Sequence, residues 1–324
     1  MQLSVVLENL SNPSLLFFFL GILSVRAKST LNIPDGASRF ISVYLLFSIG
    51  FKGGQELSHG DFDMAMAAVM LVGLLCSVTV PILSFFMLFR RLSPANAAAI
   101  AASYGSVSAV TFITAVAFLE QRNLSFGGHM VALMAMMEAP AIIVGTVMLK
   151  VFSKGEVEQS IGQILRHSLT NGSVFLLIGS TIIGFLSSES QAQGIAPFTT
   201  DIFKGFLALF LLDMGIQSGK TIQGLWAKGP TPILFAVLMP LFLGVCISWL
   251  SQYLGVGEGD RLLLTVLVAS ASYIAVPAAM KMAIPDADPG MYTPMALAIT
   301  FPVNIILGIP AYFMIIEGTL QFHC

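Results

Sequence analysis

The stretch SVSAV at residues 106–110 has a counterpart in SYIAV at residues 272–276, half a chain away. Both stretches place small and polar residues in the middle of long apolar segments. Of the 324 residues, 56% are hydrophobic and 10% are charged, which is too apolar for one soluble core with a polar surface. The sequence therefore predicts an all-α integral membrane protein.

The apolar segments are numerous enough to form a multi-pass protein. A helix needs about 20 apolar residues to span a bilayer. Ten segments approach that length: 3–25, 37–57, 64–89, 94–119, 130–151, 173–188, 200–220, 230–254, 261–283 and 293–315. Residues 1–10 contain no basic residue, so no cleavable signal is predicted. The distribution of lysine and arginine between the loops predicts a plasma (inner) membrane protein with both termini outside the cytoplasm.

The two halves of the chain repeat each other at a nearly constant spacing. The matched pairs are SIGFKGG at 48–54 with DMGIQSG at 213–219, SVSAV with SYIAV, and PAIIVG at 140–145 with PVNIILG at 302–308. They predict a first five-helix repeat over residues 1–151, a cytoplasmic connector over 152–172 and a second repeat over 173–324. Because five is odd, the second repeat is inverted, an arrangement typical of secondary transporters.

Helices 4 and 9 are predicted to break where the serine motifs lie. Gly105 with two serines interrupts helix 4, and Pro277 interrupts helix 9. Broken backbone inside a bilayer is tolerated where it is buried or lines a polar cavity. The positive N-terminal ends of two half-helices favour a small anion, and freed carbonyls and hydroxyls suit sodium. Alternatively, these serines only pack helices together.

The candidate site residues follow from this arrangement. The predicted anion site comprises Gly105, Ser106, Val107, Ser108, Ala109, Ser272, Tyr273, Ile274 and Ala275. The predicted sodium ligands are Glu138, Ser103, Thr111, Ser270, Thr300 and Asn304. Glu138 is chosen because a carboxylate in a span must be paired, protonated or bound to a cation; protonation with a hydrogen bond to a neighbouring helix is the alternative. Lys52 and Asp213 are assigned to the permeation path, although Lys52 also fits a side chain that reaches the membrane interface.

The whole chain resembles the SbtA-type sodium-dependent bicarbonate transporters of cyanobacteria and related bacteria. The resemblance rests on the ten-span layout and on IGFKGG at 49–54, ASYGSVSAVT at 102–111, MEAP at 137–140 and ASASYIAVP at 269–277. It implies sodium-coupled symport of bicarbonate for a carbon-concentrating mechanism. It also implies a homotrimer, in which a core domain (helices 3–5 and 8–10) moves like an elevator against a gate domain (helices 1, 2, 6 and 7). A cytoplasmic PII-like partner, SbtB, regulates such transporters, although the connector here is short for the family.

Two other functions compete with bicarbonate symport. The same architecture fits a sodium/proton antiporter or a sodium-coupled carrier of another small anion, but antiporters of this design concentrate acidic residues at the breaks. An intramembrane hydrolase using Ser106, Ser108 or Ser272 requires a general base at the same depth, and the sequence offers none. The net charge of −2 and the unpatterned cysteines argue against a nucleic-acid partner and a cysteine metal site.

Overall fold

The computed structural model describes residues 11–59, 63–152, 162–163, 166 and 170–320, and the regular structure of these residues is helical. The first half contains α1 (Pro13–Arg26), α2 (Asp35–His59), α3 (Met64–Leu88), α4 (Pro94–Gly105), α5 (Ala109–Gln121) and α6 (His129–Phe152). The second half contains α7 (Gly172–Leu186), α8 (Glu189–Ala196), α9 (Phe203–Trp226), α10 (Pro230–Leu250), α11 (Glu258–Val268) and α12 (Ala275–Ala283). The last stretch comprises α13 (Pro289–Pro294), α14 (Phe301–Val303) and α15 (Ile309–Leu320), joined by π-helical turns.

Short polar side chains set several of the helix starts. The Asn12 side chain accepts a hydrogen bond from the Ser14 amide at the start of α1, and Asn171 does the same for Ser173 at the start of α7. Ser93 caps α4 by accepting from the Asn96 amide. Each cap satisfies an amide that the first helical turn leaves unpaired.

Six helical stretches in the described part are long and apolar enough to cross a membrane. They are Met64–Leu88, Pro94–Gln121, His129–Phe152, Glu189–Trp226, Pro230–Leu254 and Pro289–Thr319. Helices α1 and α7 are apolar but shorter. The predicted first span begins before the described residues, and most of the predicted 152–172 connector also lies outside them. The molecule is a multi-pass helical membrane protein.

The helices pack in two ways, first as pairs and second as groups of three. Helix α1 packs along α9 and α2 packs along α7, whereas α3, α4 and α6 pack together, as do α10, α11 and α15. Glycines permit the first kind of contact, since a Cβ atom on Gly21 would collide with the α9 backbone.

The interrupted stretch α4–α5 lies at the centre of the protein. Its apolar window is 89% buried, against 33% for α3, which leaves most of the α3 surface to lipid. The alanines of α4 from Ala97 to Ala102 are fully buried, so neighbouring helices approach its backbone closely. This burial allows an interrupted backbone to exist at membrane depth.

Candidate functional site

The first break occupies three residues between α4 and α5. The chain leaves the helix after Gly105, where the Pro81 ring leaves no room for a side chain, and Ser106 is extended. The Ser108 hydroxyl then accepts a hydrogen bond from the Thr111 amide at 3.2 Å and starts α5. Local capping thus restarts the helix immediately after the break.

The second break occupies six residues between α11 and α12. Helix α11 ends at Val268, four residues before the SYIAV stretch. The Ser272 hydroxyl accepts from the Val276 amide at 3.2 Å, and α12 begins at Ala275. Pro277 falls in the first turn of α12, where its missing N–H removes no helical hydrogen bond.

The two breaks are hydrogen-bonded to each other. The Ser272 amide donates to the Ser103 carbonyl at 2.8 Å. The Ser108 amide donates to the Ser270 hydroxyl at 2.9 Å. Residues more than 160 positions apart in the sequence therefore meet at one point, with |i−j| = 162 for the second bond.

A cavity with a volume of about 40 Å³, room for about three water molecules, lies against both breaks. We call it the central cavity. Its lining residues come from the breaks and from α2, α5, α6, α7, α9 and α12: Ser42, Leu45, Leu46, Val107, Ser108, Ala109, Val110, Ile113, Glu138, Ser173, Phe210, Ser272, Tyr273, Ile274 and Ala275. Of the predicted anion-site residues, the structure places all but Gly105 and Ser106 in this lining.

The N-terminal ends of two helices line the central cavity. Ala109 and Val110 belong to the first turn of α5, and Ala275 begins α12. A first turn leaves amide N–H groups unpaired and carries roughly half a positive charge. Glu138 is the charged side chain among the lining residues that the structure describes. The cavity therefore combines two electropositive helix ends with a carboxylate, which suits an anion and a cation together.

Three hydroxyl groups around the first break are buried and have no hydrogen-bond partner among the described residues. They belong to Ser103, Ser106 and Thr111. Buried polar groups are nearly always hydrogen-bonded, so each of these oxygens is open to a ligand. Hydroxyl and carbonyl oxygens are ligands that sodium accepts in transporters.

The remaining predicted sodium ligands already bond to the protein. The Ser270 hydroxyl donates to the Leu267 carbonyl and accepts from the Ser108 amide. The Thr300 hydroxyl donates to the Ala236 carbonyl at 2.7 Å. The Asn304 side chain donates to the Ala269 carbonyl at 2.7 Å. The bonds of Ser270 to the Ser108 amide and of Asn304 to the Ala269 carbonyl hold the second break, whereas the Thr300 bond ties its own segment to α10.

The two predicted pathway residues lie apart from the central cavity. Lys52 forms an ion pair with Glu120 of α5 at 2.7 Å. The Asp213 carboxylate is buried and accepts hydrogen bonds from the Ser38 hydroxyl at 2.5 Å and from the Gln217 side chain at 2.8 Å. Neither residue belongs to the described cavity lining.

Seven lining residues were missed by the sequence reasoning: Ser42, Leu45, Leu46, Val110, Ile113, Ser173 and Phe210. Val110 ends the first serine motif and Ile113 follows it on α5, whereas the other five lie on α2, α7 and α9, far from either serine motif in the chain. One signal was available, because Asn-Pro-Ser at 12–14 is repeated as Asn-Gly-Ser at 171–173 and both mark helix starts.

Two interrupted helices that meet at a cavity are typical of secondary transporters. The model of the Na+-dependent bicarbonate transporter superfamily matches residues 13–317, and the chain belongs to that family. A search of curated proteins gives no match. Family membership makes the protein a transporter rather than an enzyme, and it supports bicarbonate transport with sodium as the coupled ion.

Proposed function

We propose that the protein is a sodium-coupled symporter that carries bicarbonate into the cell. The observation that carries this proposal is that the N-terminal ends of α5 and α12 line the central cavity together with Glu138. An anion held by amide groups and a cation held near a carboxylate fit the same space.

In our proposal, bicarbonate binds against the two helix starts. Ala109 and Ala275 line the cavity at the two helix starts, and the hydroxyls of Ser108 and Ser272, which also line it, accept from first-turn amides of the same two helices.

Sodium binds, in our proposal, beside the first break. Ser103, Ser106 and Thr111 offer unpartnered oxygens, and Glu138 offers negative charge. The hydrogen-bonded Ser270, Thr300 and Asn304 position the break. Sodium reduces the repulsion between Glu138 and bicarbonate, so each ion raises the affinity for the other by the same factor.

An inverted repeat of ten helices is the architecture that we propose for this chemistry. The matched segments also make matched contacts: a Cβ atom on Gly215 would meet the Phe18 carbonyl, and one on Gly50 would meet the Leu177 carbonyl. The contact of α9 with α1 therefore corresponds to the contact of α2 with α7. Such a correspondence is expected when α2 and α9 occupy equivalent positions in two inverted repeats.

The proposed movement is an elevator motion of α3–α6 and α10–α15 against α1, α2 and α7–α9. The central cavity supports it, because its lining combines residues from both groups of helices. A homotrimer and regulation by a PII-like SbtB partner extend the proposal by family resemblance.

The proposal is tested by uptake of radiolabelled bicarbonate into proteoliposomes at fixed pH and clamped membrane potential. We expect accumulation with an inward sodium gradient and none without it. Absence of bicarbonate uptake by folded protein would point to another anion. Sodium flux that persists without any anion, coupled to proton movement, would establish the antiporter instead.

A further inference from the structure

A second, smaller cavity lies between α1, α5, α9 and the segment that contains Ile305 and Ile309, so that α5 and α9 line both cavities. Its volume is about 10 Å³, room for at most about one water molecule, and we call it the distal cavity. Its lining residues are Asn12, Ser14, Leu15, Thr114, Ala117, Phe118, Leu207, Leu211, Ile305 and Ile309. Nothing in the proposed binding of bicarbonate or sodium uses these residues.

The distal cavity lies farther along α5 than the central cavity. Val110 and Ile113 line the central cavity, whereas Thr114 and Ala117 on the following turns line the distal one. Helix α5 runs from the first break toward one side of the membrane, and the distal cavity lies toward that side. Helices α2 and α7 start on the opposite side.

The lining of the distal cavity repeats the lining of the central cavity. Residues 48–54 match residues 213–219 at a fixed spacing. At the same spacing, Ser42 and Leu46 of the central lining correspond to Leu207 and Leu211 of the distal lining. The repeated Asn-x-Ser helix start likewise carries Ser173 onto Ser14. Corresponding faces of corresponding helices thus surround the two cavities.

This inference rests on the proposed function. We propose that the distal cavity is the closed, outward-facing half of the ion pathway, and that the central cavity is its inward-facing counterpart. In an inverted repeat, exchanging the conformations of the two halves converts one access state into the other. The helices around the central cavity therefore identify their counterparts around the distal cavity. We infer that these counterparts separate when the pathway opens to the outside.

The polar atoms of the distal cavity fit a route for hydrated ions. Asn12, Ser14 and Thr114 place a carboxamide and two hydroxyls in its wall. The facing side chains of Leu207, Leu211 and Ile305 are apolar, so the wall closes without leaving charges buried.

Thiol labelling in oriented membrane vesicles tests the inference. The native Cys76, Cys246 and Cys324 are first replaced by alanine, and single cysteines are introduced as Ser14→Cys, Thr114→Cys and Ser173→Cys. A charged, membrane-impermeant thiol reagent is then added from one side at a time. We expect Ser14→Cys and Thr114→Cys to react from the outside only and Ser173→Cys from the inside only. Sodium with bicarbonate should accelerate labelling of Thr114→Cys several-fold.

The controls separate this inference from the proposed function. Leu209→Cys, on the exposed side of α9, should stay unlabelled because lipid covers it. Ala117→Cys replaces Thr114→Cys if the latter does not fold. Labelling of the distal position from the inside, or from neither side, overturns the inference even where the cysteine-free protein takes up bicarbonate. Failure of sodium-dependent uptake by that cysteine-free protein, measured in the same vesicles, overturns the proposed function independently of the labelling pattern.

Discussion

The two helix breaks carry related sequences but differ in how their polar groups are used. Around the first break, the hydroxyls of Ser103, Ser106 and Thr111 are buried without a partner among the described residues. Around the second break, the hydroxyls of Ser270 and Ser272 both take part in hydrogen bonds. In our proposal the first break offers these oxygen atoms to sodium, and the second break holds the first through the Ser108–Ser270 and Ser272–Ser103 hydrogen bonds.

The two breaks also differ in length, and this difference likewise follows from their hydrogen bonds. The first break needs three residues because Ser108 restarts the helix at once. The second break lasts six residues, and its backbone and side chains bond to other helices, as in the pair formed by Ala269 and Asn304. The two matched motifs therefore differ in the length of the break and in the use of their polar groups.

The largest effect is expected from filling the central cavity at the second break. Ser272→Leu introduces a bulky apolar side chain beside the start of α12 and should abolish bicarbonate uptake while folding is retained. Uptake in proteoliposomes and size-exclusion chromatography measure the two quantities. Thr79→Leu, on the exposed side of α3, is the matched control and should transport normally. Loss of folded Ser272→Leu protein would favour the helix-packing alternative.

Removing the charge beside the breaks should weaken sodium binding. Glu138→Gln is expected to raise the sodium concentration for half-maximal uptake about tenfold, equivalent to about 1.4 kcal/mol. Glu189→Gln, at the exposed start of α8, controls for a general change of charge. An unchanged sodium dependence would remove Glu138 from the cation site.

One pair of serine variants tests the difference between the polar groups of the two breaks. Ser270→Ala leaves the buried Ser108 amide without its acceptor and should lower the free energy of unfolding by about 1–3 kcal/mol. Ser103→Ala loses no hydrogen bond made by the side chain, so it should lower sodium affinity with little change in thermal stability. Calorimetry and sodium titration distinguish these effects. The reverse pattern would assign the ligand role to the second break.

The half-helices that follow the breaks also differ, and here the effect should be small. Helix α5 is tied to α2 by the partly exposed Lys52–Glu120 ion pair, whereas α12 makes no ion pair in the described part of the chain. Lys52→Gln should change stability by about 0–1 kcal/mol and should leave sodium affinity unaltered. A large loss of sodium affinity would place Lys52 in the permeation path after all.

The sequence predicted the breaks better than it predicted their surroundings. Gly105 and the serines act within a few residues of themselves, so the interruptions at α4–α5 and α11–α12 were predictable from local chemistry, whereas Pro277, expected to interrupt the second helix, lies in the first turn of α12. Ser42 and Phe210 join the central cavity only through helix packing, which no local pattern specifies. The ion pair of Lys52 likewise depends on a partner 68 residues away.

The sodium-ligand predictions show a second limit. Residue type and predicted depth made Ser103, Ser270 and Asn304 look equivalent. The structure separates them by hydrogen bonding, since Asn304 donates to the Ala269 carbonyl while the Ser103 hydroxyl has no partner among the described residues. Whether a polar group is free depends on tertiary contacts, and a single sequence does not show them.

The central claim is that sodium and bicarbonate bind together at the breaks. It is tested most directly by equilibrium binding of radioactive sodium to purified protein at increasing bicarbonate concentration. We predict that bicarbonate raises sodium affinity, that sodium raises bicarbonate affinity by the same factor, and that Ser103→Ala weakens both. Sodium binding that is independent of bicarbonate would contradict the account.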